Sequence, residues 1–339
     1  MTVSEDIQST YSPSDLQAAV RLLADAREVT VLGHVNPDPD AFGSAIALGL
    51  ALRERGARVR VSFGAPEELP ASLAVLNASD LFVPASRVPA TAALLVTVDC
   101  ANLDRLATLV DLPAATVAAG GAVLVVDHHL SNTRFGTHNL VDLTAESTTV
   151  IVLRLIDELG ATLTEPVARA IYAGLLTDTS SFRRARPATH EIAARLLAAG
   201  VDPNAVGRAL TDTHPFNRLR MLSAVLGRAE LEPDAAHGLG LVHTSVHLDD
   251  LAGLPAEEAE SVIDIVRSSS EAEVAAVLKQ IGPARWSGSL RAVGGIDVNA
   301  AAASFGGGGH RFAAGFTVDG SLAEVQDRLR AALAAAPLV

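Results

Sequence analysis

Four short stretches of the chain carry side chains whose types and spacing suit divalent-cation chemistry. The segment Gly33–Ser44 gathers His34, Asp38 and Asp40, one imidazole and two carboxylates, where a strand-like run meets a helix-like one. Pro37 and Pro39 restrict φ on either side of Asp38 and so stiffen the spacing of the two acids. Taken alone, the pattern also fits an Asp that merely caps the following helix. The apolar run Val96–Val98 ends on Asp99, and Leu124–Val126 ends on Asp127, His128 and His129. On an extended chain, adjacent histidines point to opposite faces, so one of the pair is expected to face a given ion while its neighbour does something else. Asp178 follows a helix-like run and is surrounded by the hydroxyls of Thr177, Thr179, Ser180 and Ser181. A lone acid at a strand end is commonly a turn residue. Together, however, these groups supply hard oxygen and imidazole ligands with no thiolate, a set that suits Mn²⁺, Mg²⁺ or Fe²⁺ better than structural zinc. Ser180 and Ser181 lack the nucleophile-elbow context that an activated serine needs.

A second group lies near the C-terminus. Gly306–Gly309 precede His310 and Arg311, and a glycine run lets backbone N–H groups approach an anion, although it also makes plain turns. Arg183, Arg184 and Arg186 follow Asp178 and read either as contacts for a short nucleic-acid backbone or as a solvated surface run. The GxGxxG-like pieces lack the strand-turn-helix spacing of a dinucleotide site.

The elements that must position these groups follow from periodicity. Apolar runs of strand length (Val29–Gly33, Val59–Phe63, Leu94–Asp99, Val123–Asp127) alternate with helix-period segments (Ala41–Arg55, Ser147–Leu159, Glu165–Leu176, His190–Ala199). That alternation predicts an α/β unit with a mainly parallel sheet, and open α/β sheets bind ligands at the carboxyl ends of their strands. After a helical stretch near Asn217–Ala229, the turn formers of Glu232–Gly238 predict a boundary. The expected division is 1–231 and 232–339. The second part reads as a strand at Leu239–Thr244, a helix at Ala256–Arg267, paired strands at Ala272–Ile281 and Arg285–Ala292, a helix ending near Phe305 and a last helix from Leu322.

At 339 residues, with 49% hydrophobic but only 4% aromatic residues, both units can build cores from Ala, Val, Leu and Ile. Glu5 and Asp6 sit where a signal peptide would be basic, and the most apolar stretch, Ala114–Val126, is interrupted by Gly120 and Gly121. One cysteine, Cys100, excludes an internal disulfide and agrees with a reducing compartment, so a cytoplasmic protein with no membrane partner is expected. The formal charge of −13 excludes a long nucleic-acid duplex, whose binding needs many cationic contacts. Asp38, Asp40, Asp99, Asp127 and Asp178 account for five of those charges, and two divalent cations would offset four of the five. A short, metal-bound anion therefore remains admissible.

In this order the motifs resemble those of the DHH phosphoesterase family, named for the triplet that stands here as Asp127-His128-His129. The run Gly306–Gly315 resembles the signature of the associated DHHA1 substrate-binding domain, so the resemblance covers nearly the whole chain. Within the family it points to the nanoRNase (oligoribonuclease) and pAp phosphatase branch. The resemblance implies a parallel-sheet DHH domain with helices on both faces and a smaller C-terminal α/β DHHA1 domain, with the active site in the cleft between them. It implies that His34 and Asp38 hold one cation and that Asp40, His128 and Asp178 hold the other. Asp99 would bridge both, Asp127 would orient a ligand from behind, and His129 would face substrate. Two such ions, Mn²⁺ first and Mg²⁺, Fe²⁺ or Co²⁺ as alternatives, can activate a water and stabilise an in-line displacement. Ser289, Arg291, Gly307, Gly308, Gly309, His310 and Arg311 would hold the distal end of the substrate. Ala292 stands where the family often has a serine, which removes one phosphate hydrogen bond but leaves the guanidinium fork of Arg291. The implied activity is hydrolysis of oligoribonucleotides of two to five nucleotides, and of 3′-phosphoadenosine 5′-phosphate to AMP, by a chain compatible with a homodimer. Hydrolysis of linear or cyclic di-AMP, a family II inorganic pyrophosphatase and a non-enzymatic nucleotide sensor are the alternatives.

Overall fold

A computed structural model describes residues 10–76 and 80–339. The chain divides into two compact units after Thr213. The first runs α1 (Pro13–Asp25), β1 (Glu28–Gly33), α2 (Pro39–Glu54), β2 (Arg58–Phe63), β3 (Leu94–Val98), α3 (Leu112–Ala118), β4 (Ala122–Asp127), β5 (His138–Val141), α4 (Thr148–Glu158), α5 (Glu165–Asp178), α6 (Pro187–Ala198) and α7 (Pro203–Thr211). Its strands are short, rich in Val and Leu, and buried on both faces, as a parallel sheet covered by helices requires. All pair in parallel in the order β2-β1-β3-β4-β5. Side chains alternate along each strand. Val29, Val31, Val96, Leu124 and Val126 join the core built with α2, α4 and α5, whereas Leu32, Leu95 and Val123 pack with Cys100, Leu106 and Leu112 of α3 on the other face. Successive connections reverse direction between β1 and β3, and at such a switch point a crevice opens beyond the carboxyl ends of the strands.

Helix α2 occupies the middle of the layer above this crevice. Asp38 caps it, with Oδ1 accepting from the Asp40 and Ala41 N–H groups at 3.0 and 2.9 Å, and Pro39 opens its first turn. Almost every side chain from Asp40 to Leu52 is buried. The helix meets α5 closely enough that a Cβ on Gly43 would lie 2.4 Å from the Ala170 carbonyl oxygen. The four strands read from the sequence are present. Two short elements, β5 and α3, carry too few residues for their periodicity to register.

The second unit contains α8 (Asn217–Gly227), β6 (Glu230–Glu232), α9 (Ala235–Gly238), β7 (Leu241–Val246), α10 (Leu248–Leu251), α11 (Val262–Val266), β8 (Val274–Gly282), β9 (Arg285–Ala292), α12 (Val298–Ala303), β10 (Gly308–His310), β11 (Ala313–Asp319) and α13 (Leu322–Ala335). Helix α8, placed by the sequence reading with the first part, packs here: Met221 and Val225 are buried with Val242, Val246 and Val262. The six strands form a mixed sheet in the order β10-β11-β9-β8-β7-β6, parallel only between β7 and β8. One face, with Trp286, Leu290 and Phe316, is covered by α12 and α13. The opposite face is covered by α8 and α11 over β7 and β8. Among the described residues, no helix is long and apolar enough to cross a membrane.

Candidate active site

The four N-terminal motifs converge at the carboxyl edge of the parallel sheet. His34 follows β1, Asp99 follows β3, Asp127 ends β4, Asp38 and Asp40 open α2, and Asp178 closes α5. The His34 Nε2 lies 3.5 Å from Asp38 Oδ2 and 3.5 Å from Asp99 Oδ2. The His128 Nε2 lies 3.6 Å from Asp99 Oδ1, 3.5 Å from Asp178 Oδ2 and 4.0 Å from Asp40 Oδ2. Asp99 thus turns one oxygen to each of two groups, His34–Asp38–Asp99 on one side and Asp40–His128–Asp178 on the other. In each three-residue group (His34, Asp38 and Asp99; Asp40, His128 and Asp178) the ligand atoms lie within 4.8 Å of one another. Donors set ~2.1 Å from a shared ion stand about 3 Å or slightly more apart. The observed separations are close to that and too long for hydrogen bonds, so the residues present fit a pair of cations.

Each donor is held from behind. The His34 Nδ1 donates to the Val35 carbonyl at 2.8 Å and the His128 Nδ1 to the Ala145 carbonyl at 3.2 Å, which turns both Nε2 atoms towards the carboxylates. Asp40 is fully buried, and its oxygens accept the Thr148 and Thr149 N–H groups at 2.7 and 2.9 Å at the N-terminus of α4. Gly174 makes room for it, since a Cβ there would lie 2.6 Å from Asp40 Oδ1. The Thr148 hydroxyl donates to Asp99 Oδ1 at 2.9 Å. Asp99 itself is left-handed, with φ of 58°, and so ends β3 one residue earlier than the apolar run suggests. Such backbone persists where the surroundings over-determine it.

The charges confirm how crowded the cluster is. Burial, then repulsion from Asp99, raises the Asp40 pKa to about 7, and burial together with Asp40, Asp38 and Asp99 pushes Asp178 well above the carboxylate range. Burial opposes charge on His34, but Asp38 and Asp99 outweigh it and raise its pKa to about 10. Burial likewise opposes ionisation of Asp99, yet the three facing histidines hold it below its ordinary value.

Two expectations change at the histidine pair. β4 ends at Asp127, and beyond it the rings of His128 and His129 lie 4.8 Å apart and both reach Asp99 Oδ1, at 3.6 and 3.5 Å, rather than facing opposite ways. The ring that Asp127 orients is that of His129: Asp127 Oδ1 accepts its Nδ1 hydrogen at 2.8 Å, and also the His128 N–H at 2.8 Å. Asn132 donates to the other Asp127 oxygen. Burial opposes charge on His129, but Asp127 and Asp99 raise its pKa to about 9.

In the second unit, cross-strand register aligns Gly308, Gly315 and Ser289, and likewise His310, Ala313 and Arg291. Paired residues share a face. Ser289, Arg291 and His310 therefore stand together, on the face opposite Trp286 and Leu290. Gly306 to His310 do not form a cradle of successive amides. Gly306, with φ of 77°, ends α12, and Gly308–His310 form an extended edge strand whose N–H groups alternate in direction. Gly307 is needed for close approach: a Cβ there would lie 2.2 Å from the Gly315 carbonyl oxygen. Arg311 is exposed, 3.9 Å from Asp297.

A doubly wound parallel sheet that gathers two donor groups around one shared carboxylate suits two-cation chemistry, and the matching family and relatives give the class, a phosphoesterase. The model of the DHH family, N-terminal domain, matches residues 28–175, and that of the DHHA1 domain matches residues 243–336. The bifunctional oligoribonuclease and PAP phosphatase NrnA of Thermus thermophilus is 33% identical over 300 residues, spanning 86% of this chain and 84% of that protein. The probable bifunctional oligoribonuclease and PAP phosphatase NrnA of Streptococcus mutans is 27% identical, over 87% of this chain and 90% of that one. An exopolyphosphatase-related protein from Bacteroides fragilis, 24% identical, shares the fold with a TM-score of 0.85 over 96% of this chain and 97% of its own. The chain belongs to the DHH/DHHA1 phosphoesterase family.

Proposed function

We propose that the protein hydrolyses oligoribonucleotides a few residues long to nucleoside monophosphates, and 3′-phosphoadenosine 5′-phosphate to AMP, using two divalent cations, Mn²⁺ foremost. The observation that carries this reading is Asp99, whose two oxygens face two separate donor groups at 3.5 and 3.6 Å. The Thermus thermophilus relative is named for both activities. His34, Asp38 and Asp99 would hold one ion, and Asp40, His128, Asp178 and Asp99 the other. When bound, such a pair supplies Lewis-acid polarisation of phosphoryl oxygens and acidification of water.

The remaining steps belong to the chain's own groups. Asp127 fixes the Nδ1–H of His129, so the other ring nitrogen is left to serve substrate, hydrogen-bonding a phosphate or leaving oxygen. Ser289, Arg291 and His310 would grip the distal nucleotide, the guanidinium pairing with phosphate. The serine absent at Ala292 narrows that grip to Arg291 and its neighbours. The protein works in the cytoplasm on small nucleotides rather than long duplexes, consistent with its charge of −13.

A panel of substrates supplied with Mn²⁺ tests the reading. Mononucleotide release from a diribonucleotide and phosphate release from 3′-phosphoadenosine 5′-phosphate are expected. Faster turnover of pyrophosphate, or of cyclic diadenylate alone, would reassign the substrate. Nucleotide binding without any hydrolysis or divalent cation would replace the enzyme by a sensor.

A further inference from the structure

Arg183, Arg184 and Arg186 follow Asp178 closely, yet the structure uses them differently. Arg183 and Arg184 are exposed and donate to the nearby carbonyls of Ser180 and Asp178, at 3.0 and 2.7 Å. Arg186 reaches back across the fold. Its Nε lies 2.6 Å from Glu146 Oε1, and its Nη2 donates to the Thr144 carbonyl. In the first turn of α6, the Thr189 hydroxyl donates to the same Glu146 oxygen at 2.5 Å and accepts the Arg186 N–H at 3.0 Å. The side chain of Glu146 is 12% exposed and that of Arg186 35%, so the contact is partly buried.

What Arg186 clasps is the loop leading into α4, and that loop together with the first turn of α4 touches three of the six donors. The Ala145 carbonyl of the loop sets the ring of His128, and at the start of the helix the Thr148 and Thr149 amides hold Asp40 and the Thr148 hydroxyl holds Asp99. Asp142 secures the loop's other end, accepting the Thr144 N–H at 3.0 Å and its hydroxyl at 2.7 Å. We propose that Arg186 is a positioning residue for the cation site: it touches no donor, and through Glu146 and Thr144 it fixes the loop that aims His128, Asp40 and Asp99. The inference rests on the reading of those donors as a cation site. The fork geometry is essential, because a guanidinium reaches two acceptors in fixed directions where an ammonium is a single point charge.

Arg195 provides the control. It pairs with Asp157 at 2.6 and 2.5 Å, joining the same helices, α6 and α4, at an exposed place away from the donors. The experiment is calorimetric titration of Mn²⁺ into cation-free wild type, Arg186→Ala, Arg186→Lys and Arg195→Ala. Thermal unfolding and the split of kcat against KM on a diribonucleotide are measured in parallel. Supporting groups around metal ligands commonly change affinity or activity about 10–100-fold. A loss of that size in Mn²⁺ affinity is expected for Arg186→Ala, with kcat reduced, KM near wild type and only partial recovery in Arg186→Lys. Arg195→Ala should bind Mn²⁺ as wild type does. Should Arg186→Ala fail to fold, Glu146→Gln carries the same comparison. Equal Mn²⁺ affinity in wild type and Arg186→Ala overturns the inference alone, as do equal losses in Arg186→Ala and Arg195→Ala. Wild type that binds no Mn²⁺ overturns the donor-cluster reading and this inference with it.

Discussion

The carboxyl edge of the parallel sheet and the β9–β11 end of the C-terminal sheet are built to different tolerances. At the first, His34, Asp38, Asp40, Asp99, Asp127 and His128 each have a backbone group or a fixed side chain holding them in place, and Asp40 and Asp127 are fully buried. At the second, Ser289 and Arg291 are half-buried and His310 is exposed, aligned by strand register on the face that α8 and α11 cover over β7 and β8. The difference teaches where rigidity is placed. Groups that face developing charge work best when fixed in advance, whereas a grip on the far end of a substrate tolerates adjustment.

That contrast can be broken at either end. Asp99→Ala removes the carboxylate shared by both donor groups and should have the largest effect, a fall in kcat well beyond the ~100-fold typical of a supporting residue. The fold should remain intact by circular dichroism. Thr148→Val deletes only the hydroxyl on Asp99 and keeps the amide on Asp40. Its expected cost is about 10–100-fold in kcat or Mn²⁺ affinity, with KM nearly unchanged in steady-state kinetics. Arg291→Ala should show the opposite split: a charge-assisted hydrogen bond contributes ~1.5–3 kcal/mol, so KM should rise about tenfold or more while Mn²⁺ affinity stays at the wild-type value. A change in metal affinity there would erase the distinction between the two regions.

The smallest effect concerns stability. Glu232 is hydrogen-bonded by Arg330 and His243, and chiefly Arg330 holds its pKa below the ordinary value. A carboxylate whose pKa is lowered by folding contributes stability that is complete above its unfolded pKa, about 4.3, and is lost as the pH falls through the folded value. Acid melts should therefore show Arg330→Ala less sensitive than wild type below about pH 4.3, with the two curves parallel at neutral pH. Active-site kinetics should not distinguish them.

What the sequence disclosed follows the same division. His34, Asp38, Asp40, Asp99, His128 and Asp178 were legible because each ends or opens an apolar run, and their convergence follows from where parallel strands end. The capping and ligand readings of Asp38 also turn out to be compatible, since one oxygen caps α2 while the other faces His34. Thr148 and Ala145 were not legible, and Arg186 was read only as a nucleic-acid contact or a surface residue. They act through backbone groups or across about forty residues of separation, and neither leaves a pattern of residue types. The serine and threonine run 147–149 at the start of α4 was the available signal, because small hydroxyl residues gather at helix starts. The glycine run misled for a related reason. Gly306 ends a helix and Gly307 admits a neighbouring carbonyl, two backbone requirements that look the same in sequence as an anion cradle. The placement of His128 and His129, which follow the end of β4 at Asp127, also lay beyond a periodicity argument, which holds only while the strand continues.

Whether Asp99 joins two cation sites is decided by anomalous diffraction from crystals soaked in Mn²⁺. The account predicts two peaks, both beside Asp99, one flanked by His34 and Asp38 and the other by Asp40, His128 and Asp178. A single peak away from Asp99, or none at this edge of the sheet, would contradict it.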